Sequence, residues 1–343
     1  MEKITTVGLD LAKTVFQVHA INAAGASIIR RSLRRSQVLA FFDKLPPCVV
    51  GMEACGTSHF WAREIKALGH DVRMMPPIYV KAYVKRGKTD AADAEAICEA
   101  VTRPTMRFVP VKTADQQGAG MILKTRKLLI RQRSQTANAL RAHMSELGIV
   151  TATGMASIAK LIDLIRDESD DQMPEGTRFA LRKMAEQIEV LNVRVERLDR
   201  QIIAAVKDDE DARRLTSIPG VGPIIAATVR AAVPDPFGFR SGRDFAAWIG
   251  LTPRANSSGG KERTGSISKR GNRQLRMLLV VGATSILKLG KRGLKMPQWV
   301  GALMLRRPFK IVAVALANKI ARTIWALLTK GGTYQTPYVM RKA

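Results

Sequence analysis

Four acidic residues in the first third of the chain are spaced as ligands for divalent metal would be. Asp10 closes the strand-like run TVGLD, Glu53 closes a second, VVGME, and Asp90 and Asp93 lie in KTDAADAEA. Three positions apart on a helix, Asp90 and Asp93 project from one face. Strand ends and a nearby helix can bring all four carboxylates together, which is unfavourable unless cations occupy the gap. Hard ions such as Mg2+ take oxygen ligands and keep waters for substrate phosphates; Mn2+ suits the same donors. Two such ions about 4 Å apart clamp the attacking and leaving oxygens of a phosphoryl transfer. Singly, each acid has a plainer reading: Asp90 caps the helix, Asp93 is a solvated surface residue, Asp10 begins a turn. Jointly, in a basic protein, they favour a metal site.

A second constellation lies in GLTPRANSSGGKERTGSISKRGNRQLR, Gly250–Arg276. Its Arg254, Lys261, Arg263, Lys269, Arg270, Arg273 and Arg276 could line a phosphate path. Ser258 precedes Gly259 and Gly260, where backbone can approach a phosphate closely. A serine hydroxyl is a poor nucleophile until a base or metal activates it. All four histidines (His19, His59, His70, His143) precede residue 144, and the only acids after 210 are Asp211, Asp235, Asp244 and Glu262. Activation of Ser258 would therefore have to come from the metal centre. On chemistry alone the stronger reading is that Ser257 and Ser258 are loop serines bonding a phosphate or the backbone. Two weaker signals accompany these. The run from Ser217 to Pro223 resembles a helix–hairpin–helix whose Gly220 and Gly222 offer backbone N–H groups to a phosphate, or else a plain tight turn. Lys81, Lys85, Arg86 and Lys88, with Tyr79 and Tyr83, form a basic-aromatic stretch before Asp90 that suits a single strand or RNA.

The elements that must position these residues read as three segments. Residues 1–110 alternate strand and helix: strands at Ile4–Asp10, Val15–Ile21 and Ser27–Leu33, a helix over Ser36–Leu45 capped by Ser36, a strand at Val49–Glu53, a helix over Thr57–Leu68, a strand at Val72–Met75 and a helix over Asp90–Val101. Such an order predicts a mixed α/β sheet with helices against it. Residues 111–208 read as helical. Met184, Ile188, Leu191, Val195, Leu198 and Ile202 follow heptad spacing, which suits a dimerising coiled coil or an antiparallel hairpin against the helix at 113–148. Residues 209–343 read as a mostly helical domain interrupted by a loop over Thr252–Gly271.

Composition narrows the classes of function. The 343 residues carry 56 Lys+Arg against 29 Asp+Glu, a net charge of +27. Residues 211–343 alone hold 24 basic and 4 acidic side chains, or +20; such an excess repels itself unless a polyanion neutralises it, so nucleic acid is the expected partner. Three cysteines (Cys48, Cys55, Cys98) without a CxxC pair exclude a disulfide scaffold and a Cys-rich zinc site. There is no P-loop motif. No secretory signal fits the N-terminus, and the apolar run Ile311–Leu328 is broken by Asn318, Lys319 and Arg322, so a core helix and a cytoplasmic protein are expected.

GLDLAK, GMEACG and KTDAADA resemble the three motifs of the DEDD-type transposases of insertion sequences, related to the pilin-gene invertases. The loop residues GLTPR, SG and SKRG resemble that family too. The resemblance implies a RuvC-like, RNase H-fold domain (1–110) whose metal ligands are Asp10, Glu53, Asp90 and Asp93, and a C-terminal transposase domain (209–343). The helical segment between them (111–208), coiled coil or hairpin, is read as the part that assembles protomers. It implies a site-specific DNA recombinase in which Ser258, with Ser257 as fallback, joins covalently to DNA. It further implies a non-coding bridge RNA pairing with target and donor DNA, and a tetramer of two dimers in which Ser258 of one subunit meets the acids of another. Two rivals share these residues: a metal-dependent nuclease resembling Holliday-junction resolvases, and a nucleic-acid-binding protein without catalysis.

Overall fold

The computed structural model describes residues 3–85, 87, 89–167, 173–261, 263–293 and 296–335. Two compact units make up the chain, residues 1–117 and 118–343.

The first unit is built on β1 (Thr6–Asp10), β2 (Val15–Ile21), β3 (Ser27–Arg34), α1 (Val38–Asp43), β4 (Val49–Glu53), α2 (Ser58–Ala67), β5 (Asp71–Met75), α3 (Pro77–Val80) and α4 (Asp90–Val101). Its five strands lie in the order β3-β2-β1-β4-β5. β1 is antiparallel to β2, from Thr6 opposite Ile21 to Asp10 opposite Gln17. It is parallel to β4, from Thr6 opposite Val49 to Leu9 opposite Met52. This mixed sheet is consistent with the RNase H-like fold that the sequence motifs imply. The expected helix at Ser36–Leu45 is shorter: a single tight turn over Arg35–Gln37 precedes α1. Its start is secured by the Gln37 side chain, which accepts the Arg34 backbone N–H at 2.9 Å, and not by Ser36.

Strand alternation divides the work of β1 and β4. Val7, Leu9, Val50 and Met52 turn to one face and share a core with Phe42 of α1 and Trp61, Ala62 and Ile65 of α2. Gly8 and Gly51 turn to the other face, where α4 lies. A Cβ on Gly8 would stand 2.5 Å from the Cys98 nitrogen and closer still to the Ala94 carbonyl oxygen; on Gly51 it would stand 2.8 Å from the Val101 Cβ. The alanine-rich α4 thus lies almost directly on the backbone of the central strands.

The second unit contains α5 (Ala114–Glu146, begun in the first unit), α6 (Met155–Arg166), α7 (Glu175–Asp208), α8 (Glu210–Leu215), α9 (Pro223–Ala232), α10 (Gly242–Ile249), β6 (Pro253–Ala255), β7 (Thr264–Ile267), α11 (Arg273–Lys291), α12 (Gln298–Arg306) and α13 (Phe309–Lys330). Successive bridges along α5 and α7 run in opposite directions: Arg126 pairs with Asp199, and Arg133 donates to Asn192 at 2.9 Å. The two helices are therefore antiparallel, and Ile188, Leu191, Val195 and Ile202 of the heptad stripe are buried within one chain. That is the hairpin alternative; the same stripe is not left free for a partner. Leu123, Ile202 and Val206 join the large core formed by α8 to α13. By length and composition α13 could cross a membrane, but its Val312, Leu316, Ile320, Ile324 and Leu327 form a buried stripe of that core.

Because Gly8 meets backbone and Gly51 meets a side chain, the two glycines should differ in tolerance. Gly8→Ala is expected to cost about 1–3 kcal/mol of stability, as overpacking does, and Gly51→Ala less, measured by chemical denaturation. Equal, near-zero costs would contradict the close seating of α4.

Candidate metal centre and serine hairpin

The alternation that turns Gly8 and Gly51 toward α4 also sends Asp10 and Glu53, two residues further along the parallel strands, to that face. On α4, Asp90 lies one turn before Ala94, which lies one turn before Cys98. Four helical residues rise about 6 Å and two strand residues about 6.6 Å, so seating Ala94 and Cys98 over Gly8 carries Asp90 to the level of Asp10. Carboxylate oxygens of Asp10, Asp90 and Asp93 all lie within 4.8 Å of one another. Glu53 stands close enough to Asp10 and Asp93 to feel both charges. Thr89 caps α4, its hydroxyl accepting the Ala92 N–H at 3.2 Å, which leaves the Asp90 carboxylate out of the capping role.

Electrostatics mark this nest as unfinished. Burial, then Asp93, then Asp90 push the Asp10 carboxyl up to about 6, against a lowering bond from the Leu11 backbone. Burial and the charges of Asp10 and Asp93 raise Glu53 as well. The other acids of α4 are paired: Glu95 with Lys85 at 2.6 Å and Arg30 at 3.5 Å, Glu99 with Arg103 at 2.6 Å. Among the described residues no cation pairs with Asp10, Glu53, Asp90 or Asp93, in a chain of net charge +27. Four converging hard oxygen donors without a protein counter-charge fit a divalent cation.

The loop expected over Thr252–Gly271 is instead a β-hairpin. β6 and β7 pair antiparallel, with a register shift between Pro253 and Ala255; runs this short and polar carry almost no period-2 signal. Ser258 and Lys261 form its outermost bridge. Between them Gly259 and Gly260 take φ of +57° and +75°, the two left-handed positions of a type I′ turn. Both serines are exposed, but they differ. The Ser257 hydroxyl accepts the Arg263 N–H at 3.2 Å and so belongs to the hairpin; the Ser258 hydroxyl makes no hydrogen bond among the described residues.

At the hairpin's base, α10 and α11 are held together through backbone. A Cβ on Gly250 would lie 2.7 Å from the Arg270 nitrogen, and one on Gly271 would lie 3.0 Å from the Trp248 carbonyl carbon. Arg276 braces the junction, donating to Ile249 O at 2.7 Å and Arg270 O at 2.9 Å. The sequence pattern places Arg276 on a phosphate path; its guanidinium is engaged in the fold. Arg254 donates to Ser268 O at 3.1 Å. Lys261, Arg263, Lys269, Arg270 and Arg273 are exposed.

Of the remaining expected contacts, Lys85 is tied to Glu95, and Arg86 and Lys88 lie outside the described residues. Gly220 packs inward: a Cβ there would meet the Gly282 carbonyl oxygen at 2.9 Å, so the turn seats on α11. Gly222 is exposed at the start of α9. Sequence reasoning missed Gly8, Gly51, Gly250 and Gly271 as the positions that allow these close approaches, although the shared spacing of TVGLD and VVGME carried a hint.

Residues 7–149 match the DEDD transposase family model, and residues 212–296 match the model of the transposase IS116/IS110/IS902 family. The chain is 47% identical over 337 residues to the "Putative transposase y4pF/y4sB" of Sinorhizobium fredii, covering 98% of this chain and 87% of that one. It is 37% identical over 335 residues to the transposase for insertion sequence element IS1328 of Yersinia enterocolitica, covering 97% and 99%. With the transposase for insertion sequence element IS1111A of Coxiella burnetii it shares 38% over 336 residues, covering 98% and 92%. A DEDD transposase domain implies divalent-metal use, and the acid nest fits that requirement.

A folded-state value of about 6 for Asp10, above an unfolded value near 4, means that the folded chain binds the extra proton between those pH values. Metal-free stability therefore falls as pH rises through that window. At pH 7 with chelator, Asp10→Asn is expected to melt above the unsubstituted chain, with the gap closing toward pH 4. Millimolar Mg2+ or Mn2+ should raise the melting temperature of the unsubstituted chain only. A variant that melts lower at pH 7 in chelator would sink this account of a buried carboxylate beside like charges.

Proposed function

The chain belongs to the IS116/IS110/IS902 transposase family and so acts in DNA transposition, and we propose that it cuts and rejoins DNA strands through a covalent link to Ser258. Asp10, Glu53, Asp90 and Asp93 hold two Mg2+ ions in this reading. Those ions supply charge stabilisation to a phosphoryl group in transfer.

The observation that carries the reading is the difference between the two serines. Ser257 is spent on the hairpin, whereas Ser258 projects a hydroxyl with no partner among the described residues from the last bridge before a diglycine turn. Exposed Lys261 and Arg263 flank it and can neutralise a phosphate drawn to the tip. Attack by the Ser258 Oγ forms an O–P bond as a DNA oxygen departs; the serine proton is released and the departing oxygen takes one up. The resulting phosphoserine diester retains the reactivity of the bond that was broken. A second DNA hydroxyl can therefore displace Ser258 and seal the strand without an external energy source. A nuclease that used water would stop at the cut.

The reading extends to a non-coding guide RNA that pairs with target and donor duplexes, so that pairing, not side chains, selects sequence. It is supported by the +20 charge of residues 211–343. Dimers and a tetramer belong to the same reading, as does a cytoplasmic location. With the heptad stripe of α7 buried against α5, oligomer contacts fall to other surfaces, such as its exposed Phe179, Val190 and Val193.

Incubation of the protein with guide RNA, DNA ends and Mg2+, followed by denaturation, tests the covalent step. A protein–DNA adduct is expected that Ser258→Ala abolishes and Ser257→Ala retains. Free nicked ends at an undiminished rate in Ser258→Ala would establish the nuclease instead. Asp10→Asn and Glu53→Gln should lower strand exchange by about a hundredfold or more, the equivalent of a few kcal/mol of charge stabilisation, with nucleic-acid binding retained.

A further inference from the structure

At the far end of α11 from the serine hairpin lies a second cationic surface. Lys288, Lys291 and Arg292 end α11; Arg306 and Arg307 end α12, and Lys310 lies in the first turn of α13. The two groups are neighbours, because the Lys291 ammonium sits 5.3 Å from the centroid of the Phe309 ring. All six side chains are exposed, and none pairs with an acid among the described residues. The sequence contains no acid after Glu262.

Helix energetics account for half of this. Cations are favoured at a helix C-terminus, which suits Lys288 and Lys291. The same holds for Arg306 in the last turn of α12; Lys310, by contrast, lies in the first turn of α13, which holds no acid and whose N-cap is Pro308. The cost that remains is Lys310 at the positive end of a 22-residue helix and the mutual repulsion of six unpaired cations, which a bound polyanion offsets.

Exposed apolar side chains adjoin the charges along the chain: Leu305, before Arg306, is 91% exposed, Ile311, after Lys310, 52% and Leu289, after Lys288, 49%. Backbone binding to a duplex needs charge alone. Exposed apolar groups among the cations, with the Phe309 ring beside Lys291, suit unstacked bases, whose faces a paired helix hides.

We infer that this surface binds an unpaired nucleic-acid strand, phosphates on the cations and bases on Leu305 and its apolar neighbours. The inference rests on the reading of residues 211–343 as nucleic-acid-binding and adds a second site to it. From Arg273 to Lys291 the helix rises about 27 Å, so the strand is held that far along α11 from the serine hairpin.

Fluorescence anisotropy on the full chain tests this with three labelled probes: an unpaired 20-nucleotide RNA, DNA of the same sequence, and its duplex. The Arg306→Gln/Arg307→Gln/Lys310→Gln variant should bind the unpaired probes at least tenfold more weakly. Its log–log salt slope should fall by about 2, for three phosphates at about 0.7 each. Arg306→Lys/Arg307→Lys should keep the slope, controlling for folding. Leu305→Ser should weaken unpaired probes about threefold or more and leave the duplex unchanged. Preference for RNA or DNA identifies the strand's sugar, and either supports the site. Unchanged affinity in the triple variant, or equal loss for duplex and unpaired probes in Leu305→Ser, overturns it. In the unsubstituted chain, absence of a Ser258 adduct with binding of the unpaired probes intact counts against the recombinase reading alone, whereas adduct formation with probe affinity unchanged in the triple variant counts against this site alone.

Discussion

The candidate metal centre depends on a contact that has no side chain in it. α4 lies against β1 where Gly8 leaves its carbonyl and amide groups almost touching strand backbone. That seating determines whether Asp90 and Asp93 arrive beside Asp10 or several ångströms away. Carboxylates repel, so nothing in the nest itself draws them together. Packing of Ala94, Cys98 and Val101 against Gly8 and Gly51 must hold them in place until cations arrive; burial first, and the neighbouring charges of Asp93 and Asp90 after it, raise the Asp10 carboxyl there.

The serine hairpin follows a similar rule at a different place. Its two strands are too short to be stable alone, so its base is clamped by Gly250 against Arg270 and Gly271 against Trp248, with Arg276 bridging the carbonyls. Close backbone approach at glycine thus positions both the acids and the hydroxyl. An arginine with every appearance of a phosphate ligand serves as mortar between two helices.

How much of this was legible beforehand varies with the physics involved. The strands ending at Asp10 and Glu53 and the helix beginning at Asp90 were plain, because burial on both faces or one leaves a hydrophobic period. The i, i+3 spacing of Asp90 and Asp93 placed them on one face directly. Hidden were the hairpin, too short and polar to leave a period, and the commitments of Lys85 and Arg276, since long cationic side chains look alike in sequence whether solvated or bonded. The heptad stripe in α7 was visible, but a stripe does not name its partner; pairing of Arg126 with Asp199 and Arg133 with Asn192 does.

The crowd of cations at the start of α13 has a consequence for the life of the protein in a cell. A segment that carries uncancelled like charge is only conditionally stable, and whatever binds the folded form alone raises its stability by mass action. Copies made in excess of their nucleic acid are the ones that open more often and meet proteases first. Turnover would then track supply of the partner, giving a mobile element a built-in brake on its own dosage.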